Sequence, residues 1–185
     1  MAEPAKILEL GCGANKTPGA VGVDRVAGPG VDVVHDLSRL PWPFPDNTFD
    51  EVRLSHILEH LDNVLQVMEE IHRIARPGAQ VLIWTPHYSS MNSWTDPTHC
   101  LHMGYRSMDY LTDKARYDYG TARYEIAERR ITFGLGLLCL PGKLLNVWCP
   151  ETFEKYFAFI FPARDLFFRL KVVKAPAQPA KIQAP

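Results

Sequence analysis

Two glycines, Gly11 and Gly13, follow the short apolar run Ile7-Leu8-Glu9-Leu10, and a second short run ends in Asp24. Glycine at such a bend lets the backbone approach a ligand where a β-carbon would clash. A carboxylate at the tip of the neighbouring strand can accept hydrogen bonds from a ribose diol. A third run, Val31 to Asp36, ends in another carboxylate. The glycine pair by itself also suits a tight turn, and Asp24 and Asp36 also suit strand-end caps. Their position after adjacent strands, on the edge that carries ligands in open α/β sheets, favours a nucleoside site. Cys12, between the glycines, reads as a small loop filler rather than a nucleophile.

Two further groups of titratable residues could do chemistry. His56-Ile57-Leu58-Glu59-His60 matches the inverted zinc-protease signature HxxEH, in which two histidines bind zinc and the glutamate activates water. Here His56 falls at a strand-to-helix junction, so the two rings would not share a helical face. Glu69, Glu70 and His72 downstream lie on mixed faces and offer no obvious third ligand. Asp96-Pro97-Thr98-His99, followed by Cys100 and His102, is the other group. His99 or Asp96 could act as a general base; the same residues could instead lock a loop, with Asp96 capping the turn. His102 beside Cys100 also allows a metal.

These residues must be positioned by a regular scaffold. Strands are expected over Lys6 to Leu10, Ala20 to Asp24, Val31 to Asp36, Phe49 to Ser55 and Gln80 to Thr85. The last is a continuous apolar run, which suits burial on both faces. Three prolines between Pro41 and Pro45 force an extended loop. Between about Leu58 and Ala75, apolar residues recur at three- and four-residue steps, which predicts an amphipathic helix ended by Arg76-Pro77-Gly78. Residues 86–120 are aromatic, His- and Asp-rich and aperiodic, and read as an insertion. Beyond it, Tyr124 to Phe133 and Asp165 to Val173 read as strands and Thr152 to Phe161 as a helix. The expectation is one domain over residues 1–174, with a disordered tail over 175–185.

Composition narrows the class. Of 185 residues, 46% are hydrophobic and 22% charged, as in an ordinary globular protein. A net charge of -1 lacks the basic surplus of a general nucleic-acid binder. The four cysteines lack CxxC spacing and nothing at the start resembles a signal peptide, so a reducing cytoplasm is expected. The apolar stretch from Ile131 to Trp148 is broken by Pro141, Gly142 and Lys143 and is too short to span a bilayer. Tyr105, Tyr110, Tyr117, Tyr119 and Tyr124 read mainly as packing, in part as a substrate wall. The aromatic segment 153–161 reads mainly as core, with part free for a homodimer or membrane-surface contact.

With those residues placed, the chain resembles a small class I S-adenosylmethionine-dependent methyltransferase of the type 11-like group. The resemblance rests on Glu9-Leu10-Gly11-Cys12-Gly13, Gly22-Val23-Asp24, His35-Asp36-Leu37, Pro43-Phe44-Pro45-Asp46-Asn47-Thr48-Phe49-Asp50, His56-Ile57-Leu58-Glu59-His60 and Arg76-Pro77-Gly78. It implies a Rossmann-like α/β fold with a mostly parallel twisted sheet and an antiparallel final strand. It also implies that Glu9, Gly11, Cys12 and Gly13 form the loop under the methionine and ribose of the cofactor. Asp24 would take the ribose hydroxyls, and Asp36 and Leu37 would flank the adenine. Ser55 and His56 would face the sulfonium and the acceptor, with His56, Asp96 and His99 as candidate catalytic residues and no resident metal. The acceptor would be a small molecule or polymer-attached. The chain departs from the family's pattern: the segments between Gly13 and Ala20 and between Arg25 and Gly30 are too short for the usual helices, and no helix is expected ahead of the first strand, so the N-terminal helices are trimmed. A non-catalytic nucleoside-binding module and a zinc hydrolase built on residues 56–60 are the alternative readings.

Overall fold

The computed structural model describes residues 4–113 and 120–174. Tyr117, Tyr119 and the expected tail lie outside the described residues. Seven strands form one sheet in the order β3-β2-β1-β4-β5-β7-β6. These are β1 Ile7–Leu10, β2 Val21–Asp24, β3 Val33–Val34, β4 Phe49–Ser55, β5 Ala75–Pro86, β6 Arg123–Ile131 and β7 Asp165–Val173. The first five pair in parallel, and β7 runs antiparallel to both β5 and β6. Chain order reverses direction at β1, between β2 and β4, which is the topological switch point where open α/β sheets bind ligands.

The buried side chains follow from the patterning. Leu8, Leu10, Val52, Leu54, Val81 and Ile83 are fully buried, as central strands covered on both faces require. Against them packs helix α1, Val64–Ile74, through Val67, Met68, Ile71 and Ile74. Its start differs from the expected one. Leu58–His60 form a separate 3-10 turn, and Asn63 caps α1 by accepting the Gln66 N–H at 3.2 Å. The apolar period runs through this break, whereas the cap is a local hydrogen-bond choice. At the other end, Arg76-Pro77-Gly78 does stop the helix but lies inside β5. Phe49 pairs with Ala75 and Glu51 with Gln80, so the intervening residues bulge, with Gly78 at φ +80.

Strand β3 is shorter than expected because it pairs on one side only. The helix predicted over Thr152 to Phe161 is observed as α4, Pro150–Tyr156. Two helices were absent from the sequence reading: α2, Met91–Thr95, and α3, Leu140–Trp148. Pro141 and Gly142 do not break α3. Pro141 lies at its first positions, where the missing N–H costs nothing, and Gly142 packs where a Cβ would meet Phe133 at 2.9 Å and Phe161 at 3.0 Å. Within the 153–161 segment Phe153 is fully buried, while Tyr156, Phe159 and Ile160 are exposed.

The trimmed helices have a direct structural counterpart. Among the described residues, those between β1 and β2 and between β2 and β3 form turns only. These loops lie directly on the sheet. A Cβ on Gly22 would come within 2.5 Å of the Gly30 carbonyl and 2.7 Å of Cys12 Sγ. Lys16 Nζ pairs with Asp32 at 2.6 Å, and the Gly22 N–H donates to the same carboxylate at 2.7 Å. No helix among the described residues is long and apolar enough to cross a membrane.

Candidate functional site

The carboxyl ends of β1, β2 and β3 open onto a cleft of about 350 Å³. Its wall includes Gly11, Asp24, Asp36 and Leu37, with His60 and Thr98 on the far side. Gly11 has φ +63, and a Cβ there would collide with Ile57 at 2.6 to 2.9 Å. Both the backbone angle and the crowding therefore demand glycine. Asp24 is held in place from two directions. Its Oδ2 accepts the Gly13 N–H at 3.0 Å and its Oδ1 accepts the Val26 N–H at 3.1 Å. Each carboxylate oxygen keeps acceptor capacity for a ligand hydroxyl. Asp36 accepts the Ser38 N–H at 3.0 Å, and that bond holds its carboxyl below the usual carboxylate range.

Other residues expected at the cofactor sit behind this wall. Glu9 turns its carboxylate to the Thr17 N–H at 2.6 Å and so shapes the loop after Gly13. Cys12 is buried, and its Sγ points to the Gly30 carbonyl at 3.7 Å. Burial, followed by the nearby Asp24 charge, pushes its thiol up, so it stays protonated. Gly13 contributes its N–H to Asp24. Ser55 ends β4, opposite Trp84.

Beside the first cleft lies a second, of about 530 Å³, walled by His56, Glu59, Pro86, Asp96 and His99 and sharing His60. His56 adopts φ +52 at the end of β4, its N–H donating to the Trp84 carbonyl at 2.9 Å. Its Nδ1 is 3.3 Å from Oε1 of Glu59. The interaction with that carboxylate raises the His56 pKa against the opposing effect of burial. Burial pushes the Glu59 carboxyl up, but His56, backbone and Thr85 contacts outweigh it and hold the group ionised. Glu59 also anchors the insertion: its carbonyl accepts the Cys100 N–H at 2.9 Å, and its Oε2 accepts the Thr85 hydroxyl at 3.1 Å. Asp96 Oδ1 accepts both the Thr98 N–H, at 2.9 Å, and its hydroxyl, at 2.7 Å, and these bonds lower its pKa.

Sequence reasoning missed His60, Ile57 and Thr98 as cleft residues. His60 was visible inside HxxEH. Ile57 and Thr98 carried no signal, since their contacts come from distant segments.

A sheet ordered 3-2-1-4-5-7-6, with only β7 reversed and a cleft at the switch point, is the class I methyltransferase fold. Residues 8–83 match the family model described as a methyltransferase domain. The chain is 37% identical over 54 residues to a demethylmenaquinone methyltransferase of Lysinibacillus sphaericus, covering 29% of this chain and 23% of that protein. The chain thus spans about a quarter of the length of the curated relatives it matches. A SAM-dependent methyltransferase from Archaeoglobus fulgidus superposes with TM-score 0.54 at 19% identity, over 90% of this chain and 86% of that one. An N-methyltransferase from Bradyrhizobium japonicum, solved with S-adenosyl-L-homocysteine, superposes with TM-score 0.56 at 13% identity, over 92% and 79%. The resemblance to class I S-adenosylmethionine-dependent methyltransferases is carried by the fold and by residues 8–83.

Proposed function

We propose that this protein binds S-adenosylmethionine in the 350 Å³ cleft and transfers its methyl group to an acceptor in the neighbouring one. The observation that carries this reading is the pair of strand-end carboxylates, Asp24 and Asp36, opening onto one cleft beside the glycine loop. The cleft volume falls within the range of about 300–1,000 Å³ typical of small-ligand sites. The family-model match spans the elements that build this cleft, so it supports the cofactor and leaves the acceptor open.

When bound, the cofactor supplies a methyl group activated by its sulfonium. The chain supplies position. Asp24 accepts the ribose hydroxyls, Leu37 and Asp36 flank the base, and the Gly11 backbone lies under the remainder. Alignment for in-line displacement accounts for most of the acceleration in such transfers. A base is needed only for a weakly nucleophilic acceptor such as a hydroxyl. Asp96 is held by Thr98; His99, whose Nδ1 faces the Ser93 carbonyl at 3.2 Å and leaves Nε2 open, and His56, paired with Glu59 through Nδ1, are the candidates. The acceptor is a small molecule or a group on a polymer. Four free cysteines support a reducing, cytoplasmic setting.

Calorimetric titration with S-adenosylhomocysteine tests the reading. Saturable binding by wild type, lost or strongly weakened in a folded Asp24→Ala variant, is the expected result. Absence of binding to cofactor-free wild type would overturn it.

A further inference from the structure

We propose that Glu59, His60 and His99 form a binding site for a divalent transition-metal ion of the zinc class. One donor atom from each lies within 4.8 Å of the other two. Bonds of about 2.1 Å to a tetrahedral ion place ligand atoms roughly 3.4 Å apart. The three donors therefore need to close by about 1.4 Å at most, a movement that rotations of the two imidazoles supply.

The second observation is the state of Glu59. This side chain is 1% exposed, and its Oε1 has no hydrogen-bond partner. His56 Nδ1, at 3.3 Å, is within ion-pairing reach but lacks hydrogen-bond geometry. A buried carboxylate oxygen without a hydrogen bond favours positive charge beside it, which the protonated His56 ring supplies in part and a bound cation would supply directly. The hydroxyl of Thr85 already holds the other oxygen, Oε2.

The imidazoles are arranged as ligands commonly are. His60 Nδ1 meets the Thr98 hydroxyl at 2.9 Å, and His99 Nδ1 meets the Ser93 carbonyl at 3.2 Å. Such outer hydrogen bonds orient a ligating ring and select its tautomer, and here they leave the Nε2 edge of each ring for the ion. The ring centroids are 4.6 Å apart, edge to face. Asp96 Oδ2, 4.0 Å from His99 Nε2, adds negative charge at the rim. Two imidazoles and one carboxylate form a zinc-type donor set with an open position.

This is not the ligand set that HxxEH suggests. In that signature the two histidines are ligands and the glutamate is a base. Here His56 ends β4 at φ +52, and the second imidazole comes from the insertion, 39 residues after His60. Glu59 becomes a ligand. The open position faces the cleft that also holds His56 and Pro86, where an oxygen of the acceptor would complete the coordination. Metal binding rests on these donors alone, and only its link to the acceptor rests on the methyl-transfer reading.

The test is titration of chelator-treated, otherwise intact protein with Zn²⁺ by calorimetry, and with Co²⁺ by visible absorption, without S-adenosylhomocysteine. Expected are one ion per chain and the d–d bands of a four- or five-coordinate site. Affinity should fall on the order of 100-fold in His99→Ala and His60→Ala, and about tenfold in Thr98→Val, which keeps all three donors but removes the hydroxyl that bonds His60 and Asp96. Far-UV circular dichroism and a thermal melt establish that each variant is folded. Lack of saturable Zn²⁺ binding by wild type would overturn the proposal. So would unchanged affinity in a folded His99→Ala variant. Should that variant unfold, an unaltered Co²⁺ spectrum and affinity in Thr98→Val would do the same. Titration with S-adenosylhomocysteine is read separately, so either proposal can fail alone.

Discussion

The backbone N–H of Gly13 donates to Oδ2 of Asp24 at 3.0 Å, tying the loop after β1 to the end of β2. One carboxylate thereby serves both the loop and the ligand. Asp24→Asn keeps much of the local shape but removes the charge. Hydrogen bonds to charged groups contribute about 1.5–3 kcal/mol, so S-adenosylhomocysteine affinity should fall roughly 10- to 100-fold. Calorimetry alongside Asp36→Asn, a carboxylate on the same cleft, would show whether the effect belongs to the site.

Gly22 is the point where loops replace helices. A Cβ there would meet the Gly30 carbonyl at 2.5 Å, and backbone cannot step aside cheaply. Gly22→Ala should destabilise the fold by about 2 kcal/mol, or lower Tm by about 4–8 °C for a chain of this size. A thermal melt checks this. Unchanged stability would mean that the loop packs less closely than described.

Glu70 joins the proline-rich loop to α1. Its Oε1 accepts the Trp42 N–H at 2.6 Å and the Arg73 guanidinium at 2.6 Å, and Arg73 also reaches Asp46 at 2.6 Å. Burial pushes the Glu70 carboxyl up, but Arg73 and the Trp42 N–H outweigh it and leave its pKa below the ordinary value. Asp50 is lowered too, by the Lys6 N–H and Arg76. A depressed folded-state pKa contributes stability that is complete above the unfolded value and lost as pH falls through the folded one. Urea unfolding should therefore show constant stability from these groups down to about pH 5 and a decline below about pH 4. Glu70→Gln should be less stable at pH 7 and show a shallower decline.

Glu154 couples α4 to the insertion. Its Oε1 accepts the Tyr105 N–H at 2.6 Å and lies 3.1 Å from Nε2 of the fully buried His87, while its carbonyl accepts the Tyr88 hydroxyl at 2.7 Å. Glu154→Ala leaves the fully buried His87 ring and the half-buried Tyr105 N–H without this acceptor and should cost about 2–3 kcal/mol. Glu154→Gln keeps an acceptor oxygen and should restore a good part of it. Denaturant unfolding ranks the variants. Amide exchange should quicken around residues 104–107 in Glu154→Ala first.

The parallel core was legible because its signals are local and repeated. Leu8 and Leu10, Val52 and Leu54, and Val81 to Ile83 announce buried strands by composition alone. Gly11 and Gly13, with Asp24 and Asp36 at strand ends, announced the cleft before any coordinate did. Asn63 was less legible, since the apolar period of the helix continues through the cap. Pro141 misled in the other direction, because the same residue that breaks a helix interior starts a helix well.

The sequence by itself determined where the central strands fall along the chain, the glycine loop and the carboxylates that follow the strands, since each depends on near neighbours and on side-chain period. Only the tertiary structure decided which titratable groups meet. Glu9 and Cys12 turn into the loop instead of the cleft, Ile57 fills the space over Gly11, and His99 arrives beside Glu59 and His60 from a segment without periodicity. Such meetings depend on how the insertion folds back over the sheet, through bonds such as Cys100 N–H to the Glu59 carbonyl. Long-range contacts of this kind are set by packing and hydrogen-bond completion across the whole domain, and no local pattern encodes them.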